Sequence, residues 1–397
     1  MVARVGTLCL EILLALLLSS CGLVDHFSPR VYDANLNSNQ VLNQETLLNI
    51  VRASQFQPLN FVVISQLAGQ HTETLNNGLP TITFGPGQTT AQHQAVFGPN
   101  SLASAVQGSF QVNQLVSAQF QEGMLAPVTL RTMAMLLASH PREPVLYALI
   151  DSIRFKLFNT VVSYRNDPLD DRDENGNFSE ACPDKVRNSF GRTLFLNDQT
   201  CNFSKFVNFL QLFMAAGLKA ELVACDAKTV GCNTTKSATS PTSVGRLCFD
   251  PTLARQELKS IVERQLGPLC GSKPSVKKDA VGSVPFASVG RVGIDGIVLR
   301  SPNGVYNFLG KLYRENAGSR IGFYTGEAKN LRGQFLDIVQ AEGPVNCFVS
   351  VFVDGKYYCV PQGAETTTLM ITILEQLRNL ATAPSDLNAA YSVRLIN

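Results

Sequence analysis

The run Asp171-Arg172-Asp173-Glu174-Asn175-Gly176-Asn177-Phe178-Ser179-Glu180 has residue types and spacing that could do chemistry. It follows the opening positions of a calcium-binding loop. Side-chain oxygens stand at Asp171, Asp173 and Asn175, Gly176 allows the sharp turn, Asn177 offers a backbone carbonyl, and Phe178 is the apolar residue that follows. Calcium is a hard cation that takes roughly six to eight oxygens, and this spacing wraps them around it. The place of the bidentate closing glutamate is held by Cys182, so Glu180 or Asp184 would have to substitute. The alternative is a hydrated acidic turn with Asn175-Gly176 at its tip. No cofactor is expected, with calcium the one possibility this spacing offers.

Cysteines are the second set of reactive residues. The chain has 10, of which Cys9 and Cys21 lie near the amino terminus. The others are Cys182, Cys201, Cys225, Cys232, Cys248, Cys270, Cys347 and Cys359. An even number suits disulfides in an oxidising compartment, and no C-x-x-C pair supports zinc. Neighbours in sequence give the natural pairs: Cys182 with Cys201, Cys225 with Cys232, Cys248 with Cys270. For Cys347 with Cys359 there is an objection. A two-residue turn at Asp354-Gly355 sets Cys359 opposite Ser350, with Cys347 on the other face, so a bulge would be needed to join them.

Nucleophilic catalysis has little to rest on. Histidines are confined to His26, His71, His93 and His140, and no H-E-x-x-H, G-x-S-x-G or Walker loop is present. Charged residues make up only 16% of the chain and the net charge is +2, which leaves no basic face for nucleic acid.

The elements that must position these residues read as α+β, with helices packed on mainly antiparallel sheets. A helix is expected from Asn35 to Ala53 and a strand over Asn60–Ile64. Residues 69–107 read as a polar loop with a short strand at Thr81–Phe84, followed by an alternating strand at 108–116. Helices follow at Ser117–Met124 and from Pro127 to Ser139, and Val145–Phe155 is apolar enough for either helix or strand. Farther on come a strand at Thr193–Leu196, a helix from Phe203 to Ala216, strands at Ala220–Ala224 and Val244–Phe249, and a helix from Asp250 to Gly267. The last third has a strand at Ile297–Leu299, a helix capped by Ser301, a hairpin across 345–361, a helix from Glu365 to Ala381 and a strand at Tyr391–Leu395. This order is that of two split βαβ, or ferredoxin-like, units after an amino-terminal α/β region. The expected division is a signal segment at 1–20, a tether at 21–31, an α+β domain at 32–160, an acidic insertion at 161–190, and α+β units at 191–290 and 291–397.

The amino terminus combines Arg4, an apolar stretch from Ile12 to Leu18, and small residues before Cys21. This is the layout of a secretory signal, too short to span a bilayer as a helix. Leu18-Ser19-Ser20-Cys21 resembles the lipobox of bacterial lipoproteins. The resemblance implies cleavage before Cys21 and acylation of its thiol. Two or more acyl chains give a lasting anchor, at roughly 0.8 kcal/mol per buried methylene. Gly22 in place of an aspartate implies the outer membrane, by similarity to the sorting rule of enteric bacteria. Asn43–Ala53 (N-Q-E-T-L-L-N-I-V-R-A), Phe120–Val128 and Leu299–Arg314 resemble segments of a group of uncharacterised proteobacterial lipoproteins, outer-membrane or periplasmic. That resemblance implies a shared architecture and carries no activity.

These readings point to a lipid-anchored, periplasm-facing protein acting as a non-enzymatic scaffold or assembly component. Its partners are the membrane, through the anchor, and other cell-envelope proteins. An anchored envelope hydrolase, a calcium- or ligand-binding module, and part of an oligomeric channel with an inserted hairpin are the alternatives.

Overall fold

The computed structural model describes residues 27–72, 105–157, 160–173, 175, 177, 201–224, 243–259, 269–271, 292–321, 331 and 334–382. Cys21, Glu180, Cys182, Cys225, Cys232 and the strands expected at Thr81–Phe84, Thr193–Leu196 and Tyr391–Leu395 lie outside them. Among the described residues no helix is long and apolar enough to cross a membrane.

The chain is mixed α+β, and its sheets are antiparallel. Helix α1 spans Phe27–Ser54 and so begins inside the segment expected as a tether. A long ribbon follows, made of β1 (Val62–Thr72) and β2 (Ala105–Gln114). Next come α2 (Ala118–Leu125), α3 (Leu130–Ser139) and α4 (Arg142–Leu149). Ser117 and Thr129 cap the first two, each accepting a backbone N–H three residues on. The apolar run at 145–155 is both helix and strand, because α4 passes directly into β3 (Ile150–Leu157). β3 pairs with β4 (Thr160–Arg165) on one side and with β7 (Val292–Leu299) on the other.

α5 (Asn202–Ala215) leads into β5 (Leu218–Ala224), which pairs with β6 (Ser243–Phe249) in a sheet of two. The junction is tight. Gly217 has a φ of +88°, and a Cβ there would lie 2.2 Å from the carbonyl oxygen of Asp250. Of the helix expected from Asp250 to Gly267, residues 251–258 are turns and a short 3-10 segment at Gln256–Leu258, Lys259 is helical, and residues 260–268 lie outside the described residues. The last part holds α6 (Pro302–Arg314), a sheet of β8 (Val339–Ala341), β10 (Lys356–Pro361) and β9 (Cys347–Val353) in that order, and α7 (Glu365–Ala381).

Of the two expected split βαβ units the inner hairpins β5–β6 and β9–β10 are present, the outer strands Thr193–Leu196 and Tyr391–Leu395 lie outside the described residues, and β7 is placed elsewhere. β7, expected to open the carboxy-terminal unit, pairs with β3 of the amino-terminal region, and among the described residues β5 and β6 form a sheet of two, with Phe249 also bridging Leu269. Instead of separate middle and terminal units, residues 42–397 form one compact unit around a continuous core. α6 shows why. Val305, Phe308, Leu309 and Leu312 recur at helical spacing and all are buried, each burial contributing about 1.5–3 kcal/mol. Its Gly310 meets α1 so closely that a Cβ would lie 2.6 Å from the backbone nitrogen of Ser54. Leu47, Ile50 and Val51 of α1 and Met370, Ile373, Leu374 and Leu377 of α7 enter the same core.

Candidate functional site

The base of the β1–β2 ribbon gathers a set of polar interactions inside this core. Asn49 on α1 donates its side-chain amide to the carbonyl of Asn60 at 2.8 Å and accepts the Asn60 backbone N–H at 3.0 Å. One turn earlier, Glu45 accepts the backbone N–H of Val62, the first residue of β1, at 2.7 Å. Its other oxygen accepts from Arg378 of α7 at 2.9 Å. Between these polar clamps sits Phe61, edge-on to both Phe120 and Tyr306 with ring centroids 5.5 and 5.4 Å apart. Leu115 donates to the carbonyl of Phe61 and extends the ladder into the core.

Two carboxylates flank Arg378. Burial raises the Glu45 carboxyl above its ordinary value, against the lowering effects of Arg378 and the Val62 amide. Burial also raises Glu375, with the Arg378 charge opposing it and the nearby Glu45 adding to it. Glu375 Oε1 has no hydrogen-bond partner among the described residues. The Tyr306 phenol is pushed far above its ordinary value by burial and stays neutral. A paired acid and base must reach a substrate proton. Here both Glu45 oxygens are held, one by an arginine and one by a strand amide. The cluster is built to fix where the ribbon leaves the core.

A second buried cation does similar work. Arg300 donates to the carbonyls of Ala148 and Ile150 at 3.1 and 2.8 Å, and to that of Asn166 at 2.6 Å. Its guanidinium lies 3.9 Å from the ring centre of Phe308. The Ala148 and Ile150 carbonyls stand at the end of α4, where the helix leaves acceptors to be met, and the Asn166 side-chain amide shares the task by donating to Tyr147 and Ile150. Burial lowers the Arg300 pKa to about 10, so it remains charged at neutral pH.

The calcium-loop residues are placed differently from the sequence expectation. Asp171 is buried and accepts from the backbone N–H groups of Phe203 and Ser204, both at 2.9 Å, and from the Ser204 hydroxyl. It caps the first turn of α5, and its oxygens are spent there. Burial raises its pKa even so, against the lowering by these bonds. Asp173 closes a separate small turn, accepting from the amides of Asn175 and Asn177 at 3.0 and 2.9 Å. Asp171 and Asp173 thus serve a helix and a turn, while Glu180, the expected closing ligand, lies outside the described residues.

The described cysteines form disulfides. Cys248 is bonded to Cys270, and Cys347 to Cys359. Cys201 is also disulfide-bonded. The Cys347 objection resolves as its geometry demanded. Cys359 does pair with Ser350, and a register shift at Val360/Pro361 sets Pro361 opposite Cys347. That bulge brings the two Cα atoms to 5.5 Å. Glu221, Cys248 and Cys270 are the described residues close enough to share a metal, but both sulfurs are in the disulfide. Glu221 instead binds Arg246, directly opposite on β6, and the Gly271 amide.

The sheet of β8, β10 and β9 has two unlike faces. Val349, Tyr358 and Val360 are buried on one. On the other, Phe352 lies opposite Tyr357 with ring centroids 4.8 Å apart, and Phe352 is 62% exposed. Val339 and Phe348 are exposed as well, and Val345 just before β9 is 76% exposed.

Sequence reasoning missed Glu45, Arg300, Glu375 and Arg378. One signal was present for Arg378: a charge set in the apolar stripe of Leu374, Leu377 and Ala381. No protein-family model, curated protein or solved structure matches the chain.

Proposed function

We propose that this chain is a lipid-anchored, periplasm-facing envelope component that binds other envelope proteins and does no chemistry of its own. The observation that carries the reading is the apolar outer face of the three-stranded sheet. Monomeric proteins scatter single apolar residues over their surfaces, but a rimmed cluster of aromatic and aliphatic side chains marks an interaction site. Here Phe352, Phe348 and Val339 are stiffened by the Cys347–Cys359 disulfide and by the two-residue turn Asp354-Gly355, both of whose φ angles are positive. The occupant is a protein with an apolar patch of its own. The anchor at Cys21 supplies the location, with the outer membrane favoured by Gly22.

The test replaces Phe352 with a photocrosslinking residue in cells and compares its adducts with those of a chain also carrying Phe348→Ser. A defined adduct that Phe348→Ser abolishes, at an unchanged melting temperature, supports the reading. The same adducts from both chains reject it. Cys21→Ala tests the anchor separately: the variant should stay unprocessed or leave the membrane fraction.

A further inference from the structure

The β1–β2 ribbon stands apart in this fold. Its strands pair from Val62↔Gln114 to Thr72↔Ala105, and they pack chiefly on each other. Isolated two-stranded ribbons are marginal in water. Water-exposed edges are ordinarily guarded by charge or proline. Neither strand contains Asp, Glu, Lys, Arg or Pro.

Backbone register sorts the ribbon into two unlike faces. A bulge between Ile64 and Gln66 keeps the alternation in phase. One face receives Ile64, Leu67, Gly69 and His71, opposite Val112, Phe110, Gly108 and Val106. The other receives Val63, Gln66, Ala68, Gln70 and Thr72, opposite Asn113, Gln111, Ser109, Gln107 and Ala105. The first also takes Val62 opposite Gln114, and it is apolar apart from Gln114 at the base and His71 near the tip. The second is polar or small apart from Val63 at the base. The strands have 11 and 10 residues, and a bilayer-spanning strand needs about 9–11. At about 3.3 Å per residue and a 45° tilt, 10 residues rise about 23 Å, close to the apolar belt of a membrane barrel.

We propose that copies of this chain join their β1–β2 ribbons edge to edge into a closed barrel that spans a lipid bilayer. The Ile64–Leu67–Phe110–Val112 face meets lipid, and the Gln66–Gln70–Gln107–Gln111 face lines a water-filled lumen. One ribbon cannot close. Membrane barrels begin at about eight strands, so about four copies or more are required. Closure satisfies both open edges, which a single ribbon in lipid could not do. The clamps at Glu45, Asn49 and Phe61 hold the base of each ribbon to its own core, which keeps neighbouring ribbons in a common register. The proposal goes beyond the docking reading and stands without it.

The test uses the mature lipidated chain in phosphatidylcholine–phosphatidylglycerol liposomes. An environment-sensitive fluorophore is placed by Leu67→Cys or Phe110→Cys on one face, and by Gln66→Cys or Gln111→Cys on the other. The proposal expects probes at 67 and 110 to shift to shorter wavelength and be quenched several-fold by nitroxide lipids. Probes at 66 and 111 should answer to aqueous iodide instead. Equal iodide access on both faces, or equal lipid quenching on both, overturns it. Native-gel size in mild detergent gives the second reading. A complex of about four copies or more that Phe110→Asp abolishes, with its melting temperature unchanged, is expected, and a chain that stays monomeric in the membrane overturns closure. If any of these substitutions removes the melting transition, the ribbon belongs to the core and the proposal fails. Crosslinking through Phe352 persists in Phe110→Asp, so loss of the barrel and loss of docking are read independently.

Discussion

Glu45 and Arg378 are both buried, and their strength lies in how completely each is occupied. Removing one partner of such a pair strands the other charge, at a cost of about 3–5 kcal/mol. Arg378→Met should therefore lose about that much stability in urea denaturation. The double variant Glu45→Gln with Arg378→Met should recover a large part of it. Gln still offers an oxygen to the Val62 amide, and no charge is left behind. Burial raises the Glu375 pKa as it does that of Glu45, but Glu375 Oε1 has no hydrogen-bond partner among the described residues. A raised folded-state pKa means that the folded chain holds the proton more tightly than the unfolded chain. Its contribution is thus full below the unfolded value near 4.5 and is lost as pH climbs through the folded value. Glu375→Gln should raise the melting temperature at pH 7 and flatten the decline between pH 4.5 and 7, measured by thermal melts across that range. A wild-type melting temperature that does not fall over that interval contradicts the assignment.

Elements with one buried face were legible in sequence, and elements buried all round were not. α7 has the bounds its apolar stripe predicts, Glu365–Ala381. The β9–β10 hairpin turns at Asp354-Gly355 because both residues accept positive φ. The stretch 145–150, where the helix gives way to the strand, has no polar face to set a period, and its side chains are all fully buried. The switch from α4 to β3 is fixed from far away, by Arg300 on the carbonyls that end the helix. Asp171 shows the same dependence on distant sequence. Its spacing to Asp173 and Asn175 suits calcium, but the competing acceptor role at α5 depends on Ser204, 33 residues on. If Asp171 is a cap, Asp171→Ala costs about 1–2 kcal/mol, and millimolar calcium leaves the wild-type melting temperature unchanged. A rise in that temperature with calcium would restore the ion site.

At the scale of the molecule, the pairings hardest to foresee join distant sequence. β3 meets β7 and β1 meets β2 across intervening stretches with which local periodicity has nothing to do. The ribbon illustrates this best. Strands were legible at 60–64 and 108–116, but 69–72 and 105–107 read as part of a polar loop until the partner strand sets their register. The same separation makes it removable. Val62 and Gln114 are register partners, so a two-residue Asn-Gly turn can join them directly in place of residues 63–113. Phe61, Leu115, Phe120 and Tyr306 remain, as do Glu45, Asn49 and the described disulfides. The shortened chain should therefore melt within a few degrees of the full chain while its membrane complexes disappear on native gels. Melting far below the full chain would mean that the ribbon stabilises the core. Complexes that survive the excision would have to be held by another surface, with the outer face around Phe352 the first to examine.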